Sequence, residues 1–169
     1  MTRKLIWVLG LWFMATNCTI AFEKKDIVIS RTNLTLTATI YWGELPYQVK
    51  SYVFPVGLGK LGIEDKATCT PKGTFKIRYK TKNPRYCDIG IGAIVIAPYT
   101  QDTRNKYGTR IMGLSYKRAG AVRGLAIHGT NEPDLIPGYI SNMCIRMRNE
   151  DIEILYELLS VGDVVTVTD

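Results

Sequence analysis

The stretch Gly124–Met147, G-L-A-I-H-G-T-N-E-P-D-L-I-P-G-Y-I-S-N-M-C-I-R-M, is the one around which this chain is organised. It holds His128, the single histidine of the 169 residues, and Cys144 further along. A thiol beside an imidazole makes a nucleophile at neutral pH, because the base holds or removes the thiol proton. Leu125, Ala126 and Ile127 read as a buried strand delivering His128 to a site. Gly129, Pro133, Pro137 and Gly138 then make a loop that brings the chain back to Cys144. A packed core histidine with an unrelated buried thiol is the competing reading, since free cysteine often behaves as a small hydrophobe.

The wording of the stretch bears on that choice. I-H-G-T-N-E-P (Ile127–Pro133), followed after a gap by S-x-x-C-I-R-M (Ser141–Met147), resembles the active-site signature of the L,D-transpeptidases, the YkuD-type catalytic domain. The family pattern is a His-Gly pair followed by a Ser-His-Gly-Cys box, and the spacing from His128 to Cys144 fits it. Here the box reads Ser141-Asn142-Met143-Cys144, a departure at its two central positions. V-G-L-G-K at 56–60, T-P-K-G-T-F-K-I at 70–77 and Y-G-T-R at 107–110 also resemble family segments, so the likeness covers nearly all of the chain from Asp26.

The resemblance implies a mainly β fold, a β-rich mixed sheet or sandwich, with one C-terminal helix after the nucleophile. It implies an enzyme that attacks the third residue of a peptidoglycan stem tetrapeptide and releases the terminal D-alanine. The thioester would pass to an amine, giving a cross-link, an attached protein or an exchanged D-amino acid, or to water. Carried over residue by residue, Cys144 is the nucleophile, and His128 activates the thiol and later protonates the leaving amine. The Gly129 carbonyl holds the imidazole tautomer. Backbone N–H groups at Asn142 and Met143 form the oxyanion hole, and Ser141, Thr130 and Arg146 meet the substrate. Arg146 has two readings, a guanidinium fork for a substrate carboxylate or a structural salt bridge.

The box departure carries a physical expectation. If the glycine before the nucleophile needs positive φ, Met143 either bears strain of about 1–2 kcal/mol or shifts the turn. Two other functions stay open. One is a family member that has lost turnover and binds peptidoglycan as a structural module. The other is a papain-like peptidase or amidase, in which the cysteine usually precedes the histidine, whereas here His128 comes first.

Export is the expected setting. Arg3 and Lys4 precede the uncharged run Leu5–Ala15, and small residues follow, which reads as a secretory signal over residues 1–21 with cleavage after Ala21. A retained anchor or lipidation at Cys18 is the alternative, and the membrane is a partner only through that segment. The location is then the periplasm or cell envelope. Without Arg3 and Lys4 the 22 basic residues become 20 against 15 acidic ones, a net charge of +5 that favours anionic envelope polymers. Nucleic acid is not expected as a partner, because the basic residues are scattered and only Lys76–Arg85 clusters.

In an oxidising compartment Cys69, Cys87 and Cys144 are an odd set. The economical assignment pairs Cys69 with Cys87 and leaves Cys144 reactive, the alternative being three reduced thiols. One histidine, no C-x-x-C and no dense carboxylate cluster exclude a metal site, and no cofactor is implied.

The rest reads as a single domain over residues 26–169. Ile27–Ile29 is a short β-branched run, and Leu34 to Tyr41 alternates with period two, returning through Trp42-Gly43-Glu44 to a strand at Gln48–Val56. Gly57, Gly59 and Gly62 lack the G-K-[ST] ending of a phosphate loop and read as a flexible bend. Thr70–Ile77 is a turn feeding a strand, and Asn83-Pro84 is another turn. Ile89–Ala97 reads as a continuous strand near the sheet centre, and Pro98–Arg110 as a surface loop bordering the site. Ile111–Leu114 and Gly124–Ile127 flank a basic loop from Lys117 to Arg123. Asn149 is a candidate N-cap for a helix with Ile152, Leu155, Leu158 and Leu159 on one face, ended by Gly162, before a closing strand at Val164–Val167.

Overall fold

The structure is a computed structural model that describes residues 23–60, 68–88, 94–116 and 124–169. The alternation in T-L-T-A-T-I-Y-W produces β2 (Thr35–Trp42), which buries Leu36, Ala38 and Ile40 on one face and leaves the threonines between them half-buried. Branched and aromatic side chains suit such a pleated, half-buried surface. β2 lies antiparallel between β1 (Glu23–Ser30) and β3 (Gln48–Pro55). On the other side β1 pairs in parallel with β12 (Val164–Thr168), the closing strand.

A longer strand, β5 (Gly73–Lys82), joins this half of the sheet to the other. Its first residues pair with β12 and its later ones, from Ile77 on, with β8 (Arg110–Leu114), both antiparallel. The register is irregular between Ile77 and Tyr79. Such irregularities bend a strand and raise its twist, which lets one strand serve two differently oriented partners. Beyond β8 follow β9 (Ala126–His128), β11 (Ile145–Arg146), β4 (Gly57–Gly59) and β10 (Gly138–Ser141). The order is β10-β4-β11-β9-β8-β5-β12-β1-β2-β3, a curled mixed sheet of ten strands. The fold is mostly β, with one α-helix among the described residues.

That helix, α1 (Asn149–Leu158), follows the Cys144 box and lays Ile152 and Leu155, with Leu159 just past its end, into the core. They join Ile29, Leu36, Leu58, Met112, Ile127 and Ile145 in one apolar cluster. From β5 the Lys80 ammonium donates to the Tyr156 and Leu159 carbonyls, and lies 4.1 Å from the Tyr156 ring centroid. A cation at a helix C-terminus meets carbonyls that have no partner inside the helix.

Several sequence expectations change. The glycines at 57 and 59 form a buried strand between β10 and β11 rather than a flexible bend, because a side chain would meet Ile140 at Gly57 and the Thr68–Thr70 backbone at Gly59. Gly62 lies outside the described residues, as do residues 1–21 and 117–123. Of the strand expected over 89–97, only β7 (Ile94–Ile96) is described, and 89–93 are not. It pairs with β6 (Tyr86–Asp88) in a separate two-stranded ribbon, where Ile94 and Val95 are exposed, so it is not central. The N-cap position of α1 is Arg148, without a side-chain cap. Asn149 instead sends its amide across to two loops, as described below.

At Gly59 an added Cβ would lie 2.3 Å from the Thr68 carbonyl oxygen and 2.7 Å from the Thr70 nitrogen. Both are backbone atoms, so neither can rotate away. Gly59→Ala is expected to destabilise the protein by at least about 2 kcal/mol, read as a lowered midpoint in urea. An unchanged midpoint would mean that β4 is not held as described.

Candidate active site

Strand periodicity places the site. Across β8 and β9, Ile111 pairs with His128 and Gly113 with Ala126. Across the parallel pair β9 and β11, Ile145 pairs with Ile127 and Arg146 with His128. Ile127 and Ile145 are fully buried toward the core. Alternation therefore turns Ala126, His128 and Arg146 to the opposite face, and Cys144, two residues before Arg146, comes in at the head of that same ladder. The Cys144 sulfur lies 3.8 Å from the Gly124 carbonyl oxygen, at the entry to β9. The ladder runs on past β11, where the Met147 N–H donates to the His128 carbonyl at 2.9 Å.

His128 is only 4% exposed and its orientation is defined. Its Nδ1 lies 2.6 Å from the Gly129 carbonyl oxygen. A carbonyl can only accept, so Nδ1 carries the proton and Nε2 is the basic nitrogen of the neutral ring. Tyr107 meets the imidazole edge-to-face at 5.1 Å, and Tyr86 backs Tyr107 in the same way at 4.9 Å. Tyr107 belongs to the loop expected to border the site.

The box backbone is held from two sides. The Ser141 hydroxyl accepts from the Met143 N–H at 3.2 Å and donates to the Cys144 carbonyl. The Thr70 hydroxyl donates to the Met143 carbonyl at 2.8 Å. Between these anchors Met143 adopts φ 139°, a region that disfavours side chains. Its side chain is 7% exposed and packs into the core cluster. Met143 thus takes the strained branch of the expectation, and burial of its thioether offsets the strain.

The model of the L,D-transpeptidase catalytic domain matches residues 24–167. The chain belongs to that family. Among curated relatives it is 34% identical over 101 residues to the putative L,D-transpeptidase YqjB of Bacillus subtilis, covering 59% of this chain and 52% of that one. It is also 34% identical over 116 residues to the probable L,D-transpeptidase YbiS of Escherichia coli K12, covering 65% of this chain and 35% of that one. The chain thus spans about half the length of the first relative and about a third of the second. Among solved structures, an L,D-transpeptidase from Mycobacterium tuberculosis H37Rv matches 87% of this chain and 58% of its own with a TM-score of 0.60 at 19% identity, a likeness of fold.

Within this L,D-transpeptidase fold some sequence-assigned residues take other positions than expected. Thr130 and Ser141, expected to meet the substrate, are 0% and 5% exposed. The Thr130 hydroxyl accepts from the Glu132 N–H at 3.0 Å, and that of Ser141 is committed inside the box, so both shape loops. The Met143 N–H, read as an oxyanion donor, is engaged by Ser141. Asn142 is exposed. Arg146 forms an ion pair with Glu132 at 2.9 Å, its salt-bridge reading. Cys69, Cys87 and Cys144 are all outside any disulfide, so the expected Cys69–Cys87 bridge is not formed. Cys69 is buried beside β4 and its thiol reaches the Thr70 carbonyl, whereas Cys87 lies on the separate β6–β7 ribbon.

Two residues emerge that the sequence did not single out for the site. The Asn149 side chain accepts from the Thr109 and Thr130 N–H groups at 3.2 Å each and donates to the Thr130 carbonyl at 3.0 Å. It ties the Tyr107 loop to the loop after His128. Tyr79 pairs with Gly113, and its ring covers that glycine, where a Cβ would lie 2.0 Å from the ring. It therefore stands on the face of Ala126 and His128. Its phenol is held above the usual tyrosine range first by burial and then by negative charge on Cys144.

Met143→Ala keeps the strain and loses the buried side chain, for an expected loss of about 2–4 kcal/mol. Met143→Gly loses the same side chain but releases the strain, so it should be more stable than the alanine variant by about 1 kcal/mol, the reverse of the usual order. Chemical denaturation of the pair decides it. A second expectation concerns Tyr79, an acid whose folded pKa is raised. The stability tied to its neutral phenol is full below the ordinary tyrosine range and is lost as pH rises through the folded value. Cys144→Ala should lower the Tyr79 midpoint while leaving it above the ordinary value, because burial persists. Ultraviolet titration against Tyr79→Phe isolates it, and an unmoved midpoint would refute the coupling.

Proposed function

We propose that this chain is an exported cysteine L,D-transpeptidase that works on peptidoglycan stem peptides through a thioester on Cys144. The observation that carries this reading is the β9–β11 ladder, which sets His128 against Arg146 and brings Cys144 to the same face, with Nδ1–H of His128 turned to the Gly129 carbonyl. That hydrogen bond leaves Nε2 as the base. Because the chain spans only part of its relatives' lengths, substrates and partners of the whole protein belong to the proposal.

In this reading His128 Nε2 takes the Cys144 proton and the sulfur attacks the carbonyl carbon of the third stem residue, whose π pair moves to oxygen. Backbone N–H donors at the box stabilise that oxyanion. The tetrahedral intermediate collapses, the amide C–N bond breaks, and the imidazolium proton passes to the departing D-alanine nitrogen. An acceptor amine then attacks the thioester carbonyl and the thiolate leaves. The product is a cross-link, an attached protein or an exchanged D-amino acid, and water in place of the amine gives trimming. Arg146 is the cation beside His128, and a substrate carboxylate would compete with Glu132 for it. The basic start and apolar run over residues 1–21 support delivery to the periplasm or cell envelope.

The hydrogen bonds of Ser141 and Thr70 to the box backbone, beside an oriented His128, favour an enzyme over a binding module. The test is acylation. L,D-transpeptidase 3 of Mycobacterium tuberculosis, 18% identical with a TM-score of 0.58, was solved in complex with a faropenem-derived adduct. The chain without residues 1–21, incubated with a carbapenem, is expected to gain the mass of one adduct, and Cys144→Ala to gain none. A folded, reduced wild type that stays unmodified would sink the transferase reading in favour of the module.

A further inference from the structure

We infer that Thr70 is a positioning residue for the oxyanion site, setting the direction of the Cys144 N–H through the carbonyl of Met143. The inference rests on the transpeptidase reading and adds to it a residue outside the His128–Cys144 stretch. Thr70 is 1% exposed, and its hydroxyl makes two hydrogen bonds. It accepts from the Gly59 N–H at 2.8 Å and donates to the Met143 carbonyl at 2.8 Å. The Gly59 N–H can only donate and the Met143 carbonyl can only accept, so the hydroxyl proton has one direction. The hydroxyl is buried, and in a low-dielectric setting each bond holds its geometry more firmly.

The consequence follows from peptide planarity. The Met143–Cys144 bond is trans, since the cis bonds of the described chain precede Pro46 and Pro137. In a trans peptide the C=O and the next N–H point in opposite directions. Holding the Met143 carbonyl toward Thr70 therefore turns the Cys144 N–H the other way, out of the packed interior. The Met143 N–H is already engaged by Ser141, so orientation of the Cys144 N–H matters more here than in a box with two available donors. Gly59 gives the brace its rigidity, because it belongs to β4, which pairs with β10 at Ser141. The path runs from the sheet through Gly59, Thr70 and Met143 to the nucleophile's own backbone. It also bears on the strain at Met143. With glycine absent from the box, the φ of 139° is imposed by anchors on either side, and Thr70 is the one that comes from outside the box.

The test separates thiol reactivity from oxyanion stabilisation in the full chain. Carbapenem acylation passes through a tetrahedral oxyanion, whereas alkylation by iodoacetamide does not. Thr70→Val keeps the shape and removes the hydroxyl. It is expected to slow acylation of Cys144 at least about tenfold, given that one lost oxyanion donor typically means about a hundred- to a thousandfold, while alkylation across a pH series stays within about twofold. Thr70→Ser is expected to restore acylation to within about threefold of wild type. Acylation of Thr70→Val at the wild-type rate, or a parallel fall in both reactions, would overturn the assignment. Should Thr70→Val not fold, Thr70→Ala is compared with Thr70→Ser in its place. If both hydroxyl-free variants fail to fold while serine folds, the hydroxyl is a folding determinant and the assignment falls. A wild type that alkylates but never acylates overturns the transpeptidase reading itself, and this assignment with it.

Discussion

A parallel ladder of two rungs, Ile145 to Ile127 and Arg146 to His128, is the constraint from which the site follows. Parallel pairing requires the chain to leave β9 and come back in the same direction, and the residues from Gly129 to Cys144, β10 among them, are that connection. Because side chains alternate along a strand, a slip of one residue would exchange Arg146 for Ile145 at the site and bury a guanidinium. Register is therefore enforced by the core. Ile127 and Ile145 are fully buried with Met147, Ile152 and Leu155, and the same packing that stabilises the fold turns His128 and Arg146 to the opposite face of the sheet.

Around the ladder, backbone groups do much of the positioning. The imidazole is oriented by a carbonyl, and the box is held by hydroxyls acting on its peptide units. Asn149 does the same for two loops at once, using an amide where a capping role was the simpler expectation. These interactions depend on the chain path more than on the side chain at each position. They hold a box that has Asn142 and Met143 at its centre. Strain at Met143 is of the order of 1–2 kcal/mol, and burying its side chain returns a similar amount, ~1.5–3 kcal/mol. The substitution is tolerable because the thioether has an apolar pocket to enter.

Much of this was legible in the residues. The period-two alternation of β2, the helix after the box and the closing strand follow from local patterning, and His128 and Cys144 were visible as chemistry. Other features were not. The glycines at 57 and 59 carry no periodic signal, and their role as a buried strand between β10 and β11 depends on neighbours distant in sequence. The apolar run ending at Ala97 reads as central, but hydrophobicity alone does not say which partner a strand finds, and among the described residues β7 pairs with β6. A Cys69–Cys87 bridge was reasonable by counting, yet counting carries no distance.

By itself the sequence determined the class of fold, the family, and His128 and Cys144 as the candidate base and nucleophile, because patterning and motif are local properties. Only the tertiary structure decided that the Ser141 and Thr130 hydroxyls bond within their loops, that Arg146 meets Glu132, that Thr70 reaches the Met143 carbonyl and that Tyr79 covers Gly113. Each of those depends on which face of a strand a side chain occupies and on which backbone group lies opposite. Thr70 is 73 residues from Met143. A hydrogen bond across that separation exists only once β4, β10 and β11 have fixed where both ends lie.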